Sequence, residues 1–148
     1  MLEDINKDLK TAMLAGDKER VMVLRALLTS IQYAEIAKKA SLDESDLINL
    51  MQKEVKKRLE AANMFKQGGA DDREQKELRE KVIIEKYLPQ QLNQTELESI
   101  IEAIIAQQGV SEVSDMGKVI AKAREETAGR ADGATIARIT KEKLTKSA

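Results

Sequence analysis

The 148-residue sequence contains no cysteine, histidine or tryptophan, and it has only one proline, seven glycines, two tyrosines and one phenylalanine. Without cysteine and histidine, the chain cannot form disulfides, zinc sites of the usual ligand set, or cysteine- and histidine-dependent nucleophilic centres. Because aromatic residues are so few, the core must consist of Leu, Ile, Val, Met and Ala, which suits the packing of helix on helix. The scarcity of helix-breaking residues therefore predicts an all-α protein.

Long apolar runs are also missing from the sequence. No window approaches the roughly 18 apolar residues of a transmembrane helix, so no membrane association is expected. Residues 1–5 are acidic and helical in pattern and do not resemble a signal peptide. The lack of cysteine fits a reducing compartment. These features together predict a cytoplasmic protein.

The charge of the chain is nearly balanced but unevenly distributed. Residues 1–114 carry 17 Lys and Arg against 21 Asp and Glu, whereas residues 115–148 carry 8 against 5. This excess of positive charge near the C-terminus has two interpretations, an anionic partner or the ordinary scatter of surface charge. By itself the excess is too small to indicate a nucleic-acid-binding surface.

Apolar residues recur at helical spacing in seven segments separated by turn residues. Gly16 is expected to end the first helix and Asp17 to cap the second. Ser41 with Glu44 is expected to form a capping box at the start of the third helix, Asp71 to cap the fourth, and Asn93 with Glu96 to start the fifth. These patterns also place Met22, Leu59 and Val82 among the core-facing residues.

The single proline, Pro89, divides this series because it disfavours helix at the preceding residue. Four helices precede it and three short ones follow. The sequence therefore predicts an N-terminal four-helix bundle over residues 1–90 and a small three-helix bundle over residues 91–148.

The turn at residues 128–133 combines several features that suit an anion site. Gly129 suits the left-handed position after a helix, and Asp132 suits the N-cap of the next helix. Arg130 lies between them, close to the backbone amides of a helix N-terminus, where an anion can bind. The alternative is that this turn merely joins two helices, since capping explains Gly129 and Asp132 without a ligand. Capping does not explain Arg130.

No arrangement of residues indicates independent catalysis, a cofactor or a metal site. The carboxylates lie three or four positions from Lys or Arg, as in Glu54 with Arg58, which is typical of ion pairs on solvated helix surfaces. Arg25 falls beside the apolar stripe of the second helix. We expect it to pair with a buried carboxylate such as Glu35 or Glu54.

Several motifs in the same order resemble the free-standing YqeY proteins of the GatB/YqeY family. They lie along the whole chain: Lys18, Arg20, Leu24-Arg25, Ile31 and Glu35-Ile36; Glu54-Val55-Lys56-Lys57-Arg58; Tyr87-Leu88-Pro89-Gln90-Gln91-Leu92; and Met116-Gly117-Lys118-Val119 with Gly129-Arg130-Ala131-Asp132-Gly133. The resemblance implies a four-helix bundle followed by a three-helix bundle, in agreement with the helix count.

The C-terminal motif is also similar to the tail of GatB, a subunit of the tRNA-dependent amidotransferase. The resemblance implies a family-level carbon–nitrogen ligase activity with glutamine as amido-N-donor. In that enzyme a separate domain performs the catalysis and the tail helps to hold tRNA. Gly117, Lys118, Gly129, Arg130, Ala131 and Asp132 occupy the matching positions, although GatB tails usually carry Gln where Lys118 stands. Nothing in this chain resembles the catalytic domain.

Two functions are therefore expected from the sequence. The first is a non-catalytic module that binds tRNA or aminoacyl-tRNA, with a protein of the translation machinery as a further partner. Its binding residues would be Gly117, Lys118, Lys122, Gly129, Arg130, Arg138 and Lys141. The alternative is a helical protein-interaction or regulatory module with no nucleic-acid role.

Overall fold

The computed structural model describes residues 1–147, and within them every regular element is helical. The α-helices are α1 (Leu2–Ala15), α2 (Lys18–Lys38), α3 (Glu44–Gln67), α4 (Asp71–Glu85), α5 (Gln94–Gln108), α6 (Met116–Thr127) and α7 (Gly133–Ser147), with a short 3₁₀ turn at Val113–Asp115. The predicted all-α class is confirmed. The contacts divide the chain into two compact units, Met1–Leu88 and Pro89–Ala148, next to the proline that the sequence singled out.

Several helix ends follow the expected local chemistry. Gly16 is left-handed after α1, and the side chain of Asp17 accepts the amide of Arg20 at the start of α2. Asn93 and Glu96 form a complete capping box at α5. These ends were predictable because the groups that satisfy them lie within a few residues.

Two predicted caps were wrong. The capping box of α3 consists of Asp43 and Asp46, not Ser41 and Glu44. Asp46 of this box also receives the ammonium group of Lys38, the last residue of α2, so the start of α3 contacts the helix before it. Asp71 is the first residue of α4 rather than its cap, and Ala70 takes the cap position without a side-chain hydrogen bond.

The core of the N-terminal unit is aliphatic, as expected. Its buried residues are Ile5, Val23, Leu24, Leu27, Ile31, Leu47, Met51 and Ile84. The sequence pattern missed Val23 and Ile84, and it wrongly placed Met22, Leu59 and Val82 inward, since these three side chains are 62%, 41% and 61% exposed.

An ion cluster joins α3 to α4 inside this unit. Arg58 Nη1 lies 2.7 Å from Glu54 Oε2, and Arg58 Nε lies 3.5 Å from Glu80 Oε2. The three side chains are only 13–17% exposed. Burial raises the pKa of Glu54, but hydrogen bonds from Arg58 and Lys57 outweigh it and hold the pKa below its usual value. The expected solvated surface pair is thus a largely buried cluster.

Arg25 does not take part in such a cluster. Its side chain is exposed, and its Nη2 lies 3.9 Å from Met13 Sδ. The carboxylate of Glu54 binds Arg58, and Glu35 Oε1 accepts the amide of Leu42. The predicted ion pair of Arg25 with either carboxylate is therefore wrong.

The Tyr87-Leu88 segment, which follows α4, contacts α1 and closes the N-terminal unit. The Tyr87 hydroxyl donates a hydrogen bond to Asp8 Oδ2, and Lys86 Nζ lies 3.4 Å from the same atom. Tyr87 and Leu88 also pack against the N-terminal core. The hydrogen bond from Tyr87 holds the pKa of Asp8 below its usual value.

The C-terminal unit has its own core, to which all three helices contribute. The buried residues of this cluster are Leu97, Ile101, Ile104, Val119, Ala123, Ile136 and Ile139. Two buried threonines, Thr127 and Thr140, donate their hydroxyls to carbonyls one turn earlier, so they bury no unpaired hydroxyl proton.

Candidate functional site: the turn between α6 and α7

The turn begins with two consecutive left-handed residues, Ala128 at φ 46° and Gly129 at φ 82°. Gly129 is left-handed after the helix, as predicted, while the capping residue is Ala128, whose amide donates to the carbonyl of Arg124 at 3.1 Å. A left-handed alanine costs about 1–2 kcal/mol because its β-carbon approaches the following carbonyl. The amide of Arg130 then donates to the carbonyl of Thr127 at 2.9 Å, which closes the turn.

Asp132 starts the next helix, as predicted. Its Oδ1 accepts the amide of Thr135 at 2.9 Å, and its Oδ2 accepts the hydroxyl of the same residue at 2.6 Å. The amides of Gly133 and Ala134 lie in the first turn of α7, where a helix supplies no acceptor of its own. The N-terminus of α7 thus has amides beside the cap that receive no acceptor from the helix itself.

The Gln-Gln-Leu motif after Pro89 holds this turn in place. The Leu92 amide donates to the carbonyl of Arg130 at 2.8 Å, and Gln91 Nε2 donates to the carbonyl of Gly129 at 3.0 Å. In return, Arg130 Nε donates to the carbonyl of Gln90 at 3.2 Å. Arg130 therefore helps to hold the turn through a hydrogen bond that is not part of helix capping. Its side chain is nevertheless exposed.

Arg124 is a second arginine at the turn, and the sequence analysis missed it. A β-carbon at Gly133 would overlap Arg124 Nη2 and lie 3.1 Å from Arg124 Cζ, so the guanidinium lies against the backbone of Gly133. Gly133 is outside the left-handed region. Glycine therefore permits this close approach, and a β-carbon there would displace only the flexible end of the Arg124 side chain. A glycine directly after a helix cap was the one signal in the sequence for this contact.

Both arginines remain available to an anion. Arg124 and Arg130 are exposed, and within residues 1–147 neither forms an ion pair with a carboxylate. Arg124 lies against Gly133, the first residue of α7, where the partial positive charge of the helix N-terminus also favours an anion. The carboxylate of Asp132 opposes this field.

Nearby carboxylates partly offset the positive charges of the predicted site residues on α6. Gly117 is exposed, and a β-carbon at this position would meet no neighbouring atom within 4 Å, so no steric contact requires glycine there. Lys118 is 74% exposed and lies 3.9 Å from Asp115. Lys122 lies 3.4 Å from Glu125 and 4.0 Å from Glu126.

On α7, Arg138 Nη1 lies 3.1 Å from Glu142 Oε1, whereas Lys141 is exposed. Lys143 lies 2.6 Å from Glu102 of α5. Residues 89–148 together carry 8 Lys and Arg and 9 Asp and Glu, so the glutamates of α5 and the loop after it offset the positive excess of the tail. The predicted residues lie on three elements: Gly117, Lys118 and Lys122 on α6, Gly129 and Arg130 in the turn, and Arg138 and Lys141 on α7.

Other kinds of site are not found in the part of the chain that the structure describes. No group of three or more Asp and Glu side chains is arranged to hold a metal ion within residues 1–147. No helix in that range combines the length and apolar character needed to cross a membrane. The turn between α6 and α7 is therefore the candidate site.

The description "Yqey-like protein" belongs to the family model that matches residues 2–144 of this chain. A curated relative from Saccharomyces cerevisiae, "Altered inheritance of mitochondria protein 41, mitochondrial", is 38% identical over 84 residues, which are 56% of this chain and 45% of the relative. A protein of the same name from Eremothecium gossypii is 36% identical over 88 residues, which are 59% of this chain and 48% of the relative. Another from Clavispora lusitaniae is 34% identical over 88 residues, which are 60% of this chain and 51% of the relative. The chain thus spans about half the length of the curated relatives it matches.

Proposed function

This chain belongs to the Yqey-like protein family, and on that premise we propose that it is a non-catalytic module that binds tRNA or aminoacyl-tRNA through the turn between α6 and α7. In this proposal, the family-level carbon–nitrogen ligase chemistry with glutamine as amido-N-donor belongs to a separate catalytic partner of the translation machinery. The chain itself contributes affinity for the nucleic acid.

One observation carries the proposal: two exposed arginines without a carboxylate partner within residues 1–147 belong to this turn, Arg124 against the backbone of Gly133 and Arg130 bound to the carbonyl of Gln90. Guanidinium groups and helix N-termini are the donors that phosphates prefer. The hydrogen bonds from Gln91 and Leu92 hold the turn, so little conformational entropy is lost when a phosphate binds.

The expected binding is weak and depends on salt. About two phosphate contacts give a slope of roughly −1.4 to −1.8 in a plot of log affinity against log salt concentration. With two tyrosines and one phenylalanine in the chain, base stacking contributes little. Recognition would therefore rest on the backbone and shape of the RNA.

The test is a fluorescence-anisotropy titration of labelled tRNA with the full chain, at about 50 and 200 mM salt. We expect the affinity to fall roughly tenfold across this range. The double variant with Arg124→Ala and Arg130→Ala should bind more weakly at low salt and lose most of the salt dependence.

Lys56→Ala is the matched control, because Lys56 is an exposed cation on α3 in the N-terminal unit. It removes one positive charge and should leave the affinity almost unchanged. Circular dichroism of each variant checks that the helices remain. Absence of binding at low salt, or equal losses for the control and the arginine variants, would refute the proposal.

The other predicted binding residues are tested in the same assay. Lys118 and Lys141 are exposed, whereas Lys122 and Arg138 are engaged by carboxylates of their own helices. We propose that Lys118→Ala and Lys141→Ala weaken binding more than Lys122→Ala does. The order would be reversed if the ion pairs opened on binding.

A second candidate function, a helical protein-interaction module, is supported by the surface of the N-terminal unit. Apart from Val113, the large hydrophobic side chains exposed within residues 1–147 all lie in that unit: Met13, Leu14, Met22, Tyr33, Ile36, Leu59, Met64 and Val82. Exposed apolar patches of this kind mark interaction sites. Under this function, tRNA would not bind at low salt and a protein partner would be retained by the N-terminal unit.

We propose the cytoplasm as the compartment, with the mitochondrion as the alternative because the fungal relatives are mitochondrial by name. Imaging of the chain fused to a fluorescent protein at its C-terminus in its own cells separates the two. Incubation of the purified chain with glutamine, ATP and Glu-tRNA or Asp-tRNA tests for catalysis. Amidated product from the chain alone would refute the non-catalytic assignment.

A further inference from the structure

Helix α2 carries a second apolar stripe on the side opposite the core. Met22, Tyr33 and Ile36 are 62%, 70% and 71% exposed, and Ala26 and Thr29 are exposed between them. Their spacings of 3, 4 and 7 residues put them on one face of the helix. The buried residues of α2, Val23, Leu24, Leu27 and Ile31, form the other face. We call the exposed face, residues 22, 26, 29, 33 and 36, the outer stripe.

The outer stripe differs from scattered surface hydrophobics in being continuous and extended. At the end of α1, Met13 is 52% and Leu14 is 92% exposed, and Met13 Sδ lies 3.9 Å from Arg25 Nη2 beside the stripe. At its other end, Gln32, Glu35 and Ile36 border an open depression of about 420 Å³ that also includes Ala40 and Ser41. Within the stripe, Thr29 donates its hydroxyl to the carbonyl of Arg25, so this side chain has no unpaired donor.

We propose that the outer stripe binds the same stripe of a second copy of this chain, with the two α2 helices antiparallel and Thr29 at the twofold axis. In this register Met22 of one copy meets Ile36 of the other, where the depression has room for the methionine side chain. Arg25 meets Tyr33, which is a cation–π pair. A twofold interface forms both contacts twice.

Arg25, which borders the stripe, disfavours the parallel arrangement. Parallel pairing would place Arg25 against Arg25, whereas antiparallel pairing separates the two arginines and puts each beside an aromatic ring. Residues spaced by seven, such as 22, 29 and 36, maintain contact between paired helices along the whole length of α2. The self-complementary order of methionine, arginine, threonine, tyrosine and isoleucine therefore favours a second copy as the occupant.

The interface is small, so the dimer should be weak. Helix α2 has 21 residues and is therefore about 31 Å long. Pairing along it gives a surface near the low end of the roughly 1,200–2,000 Å² typical of specific interfaces. We expect half-dissociation at a protein concentration on the order of 10–100 μM.

The test is sedimentation equilibrium of the full chain across that concentration range and about fivefold above it. The expected result is a monomer–dimer equilibrium that Ile36→Asp weakens at least about tenfold, since the charge would be buried against Met22. Met64→Asp is the matched control, because Met64 is 71% exposed on α3, away from the stripe. A chain that is monomeric at the highest concentration, or equal effects of Ile36→Asp and Met64→Asp, would overturn the proposal.

Cysteine cross-linking tests the register, because the chain has no cysteine of its own. A disulfide requires Cα atoms within about 7 Å. In the antiparallel dimer Thr29→Cys meets its own copy, whereas residues 22 of the two copies are about 21 Å apart along the axis. We expect Thr29→Cys to form a disulfide dimer, Met22→Cys to form one only when mixed with Ile36→Cys, and Met64→Cys to form none. Efficient self-linking of Met22→Cys would show parallel pairing and overturn the proposal.

Discussion

Replacing Arg58 with methionine should destabilise the N-terminal unit more than any other single change in the ion cluster of α3 and α4. The variant keeps the volume of the side chain but leaves Glu54 and Glu80 without their shared partner. Both carboxylates are largely withdrawn from water, at 13% and 17% exposure. They would also repel each other.

The magnitude follows from burial and distance. Removing one partner from a fully buried pair costs about 3–5 kcal/mol, and the remaining exposure of these groups reduces the expected cost of Arg58→Met to about 2–3 kcal/mol. Glu54→Gln removes a charge-assisted hydrogen bond of 2.7 Å, which costs about 1.5 kcal/mol. Glu80→Gln weakens only a contact of 3.5 Å and should cost less than about 1 kcal/mol.

Urea denaturation followed by circular dichroism measures these differences. With a typical slope of about 1–3 kcal/mol per molar urea, Arg58→Met should lower the midpoint by about 1–2 M. If Arg58→Met lowered the free energy of unfolding by less than about 1 kcal/mol, the buried cluster would not contribute as expected. A larger loss for Glu80→Gln than for Glu54→Gln would also contradict the prediction.

A triple variant separates the ion pairs from packing. Combining Arg58→Met with Glu54→Leu and Glu80→Leu replaces the whole cluster with apolar side chains of similar size. Such replacements are often neutral or stabilising, because no group must then lose its hydration without a partner. We expect the triple variant to regain most of the stability that Arg58→Met loses. If it remains as unstable as the single variant, packing rather than charge accounts for the loss.

Three further predictions concern protonation, a tertiary hydrogen bond and backbone strain. The pKa values of Glu54 and Asp8 are lowered in the folded chain. The stability that these two carboxylates contribute is therefore fully present above their ordinary pKa values and is lost as the pH falls through their lower pKa values in the folded chain. A pH series of urea midpoints should be flatter for Glu54→Gln than for the unaltered chain. Tyr87→Phe removes the hydroxyl that donates to Asp8 and should cost about 1–2 kcal/mol of unfolding free energy, whereas a melting temperature equal to that of the unaltered chain would contradict this. Ala128→Gly relieves a left-handed alanine and should raise stability by about 0.5–1 kcal/mol, while the control Ala103→Gly, inside α5, should lower it by about 1 kcal/mol.

Local chemistry made much of the fold predictable. The ends at Gly16, Asp17, Asn93 and Asp132 were correct because a cap binds backbone groups within four residues of itself. The error at Ser41 arose because a second candidate cap, Asp43, lies two residues further on. At Asp71 the cap position falls one residue earlier, on Ala70, which has no side-chain group to bind the helix.

The faces of the helices were less predictable than their ends. Helix α2 is apolar on both sides, so periodicity alone did not distinguish Val23, which is buried, from Met22, which is exposed. The ion pair of Glu54 with Arg58 looked like a surface pair because its spacing is the same in both settings. Only the position of α4, which brings Glu80 to Arg58, showed that the pair is largely buried.

The candidate site shows the same division. The sequence by itself determined the all-helical class and the turn at residues 128–133, because these depend on residue types and on hydrogen bonds between near neighbours. The tertiary structure alone decided that Arg124 lies against Gly133 and that the segment after Pro89 holds Arg130. It also decided that Lys143 of α7 pairs with Glu102 of α5. Contacts between residues far apart in the chain depend on which helices become neighbours, and side-chain periodicity specifies a face without specifying what covers it.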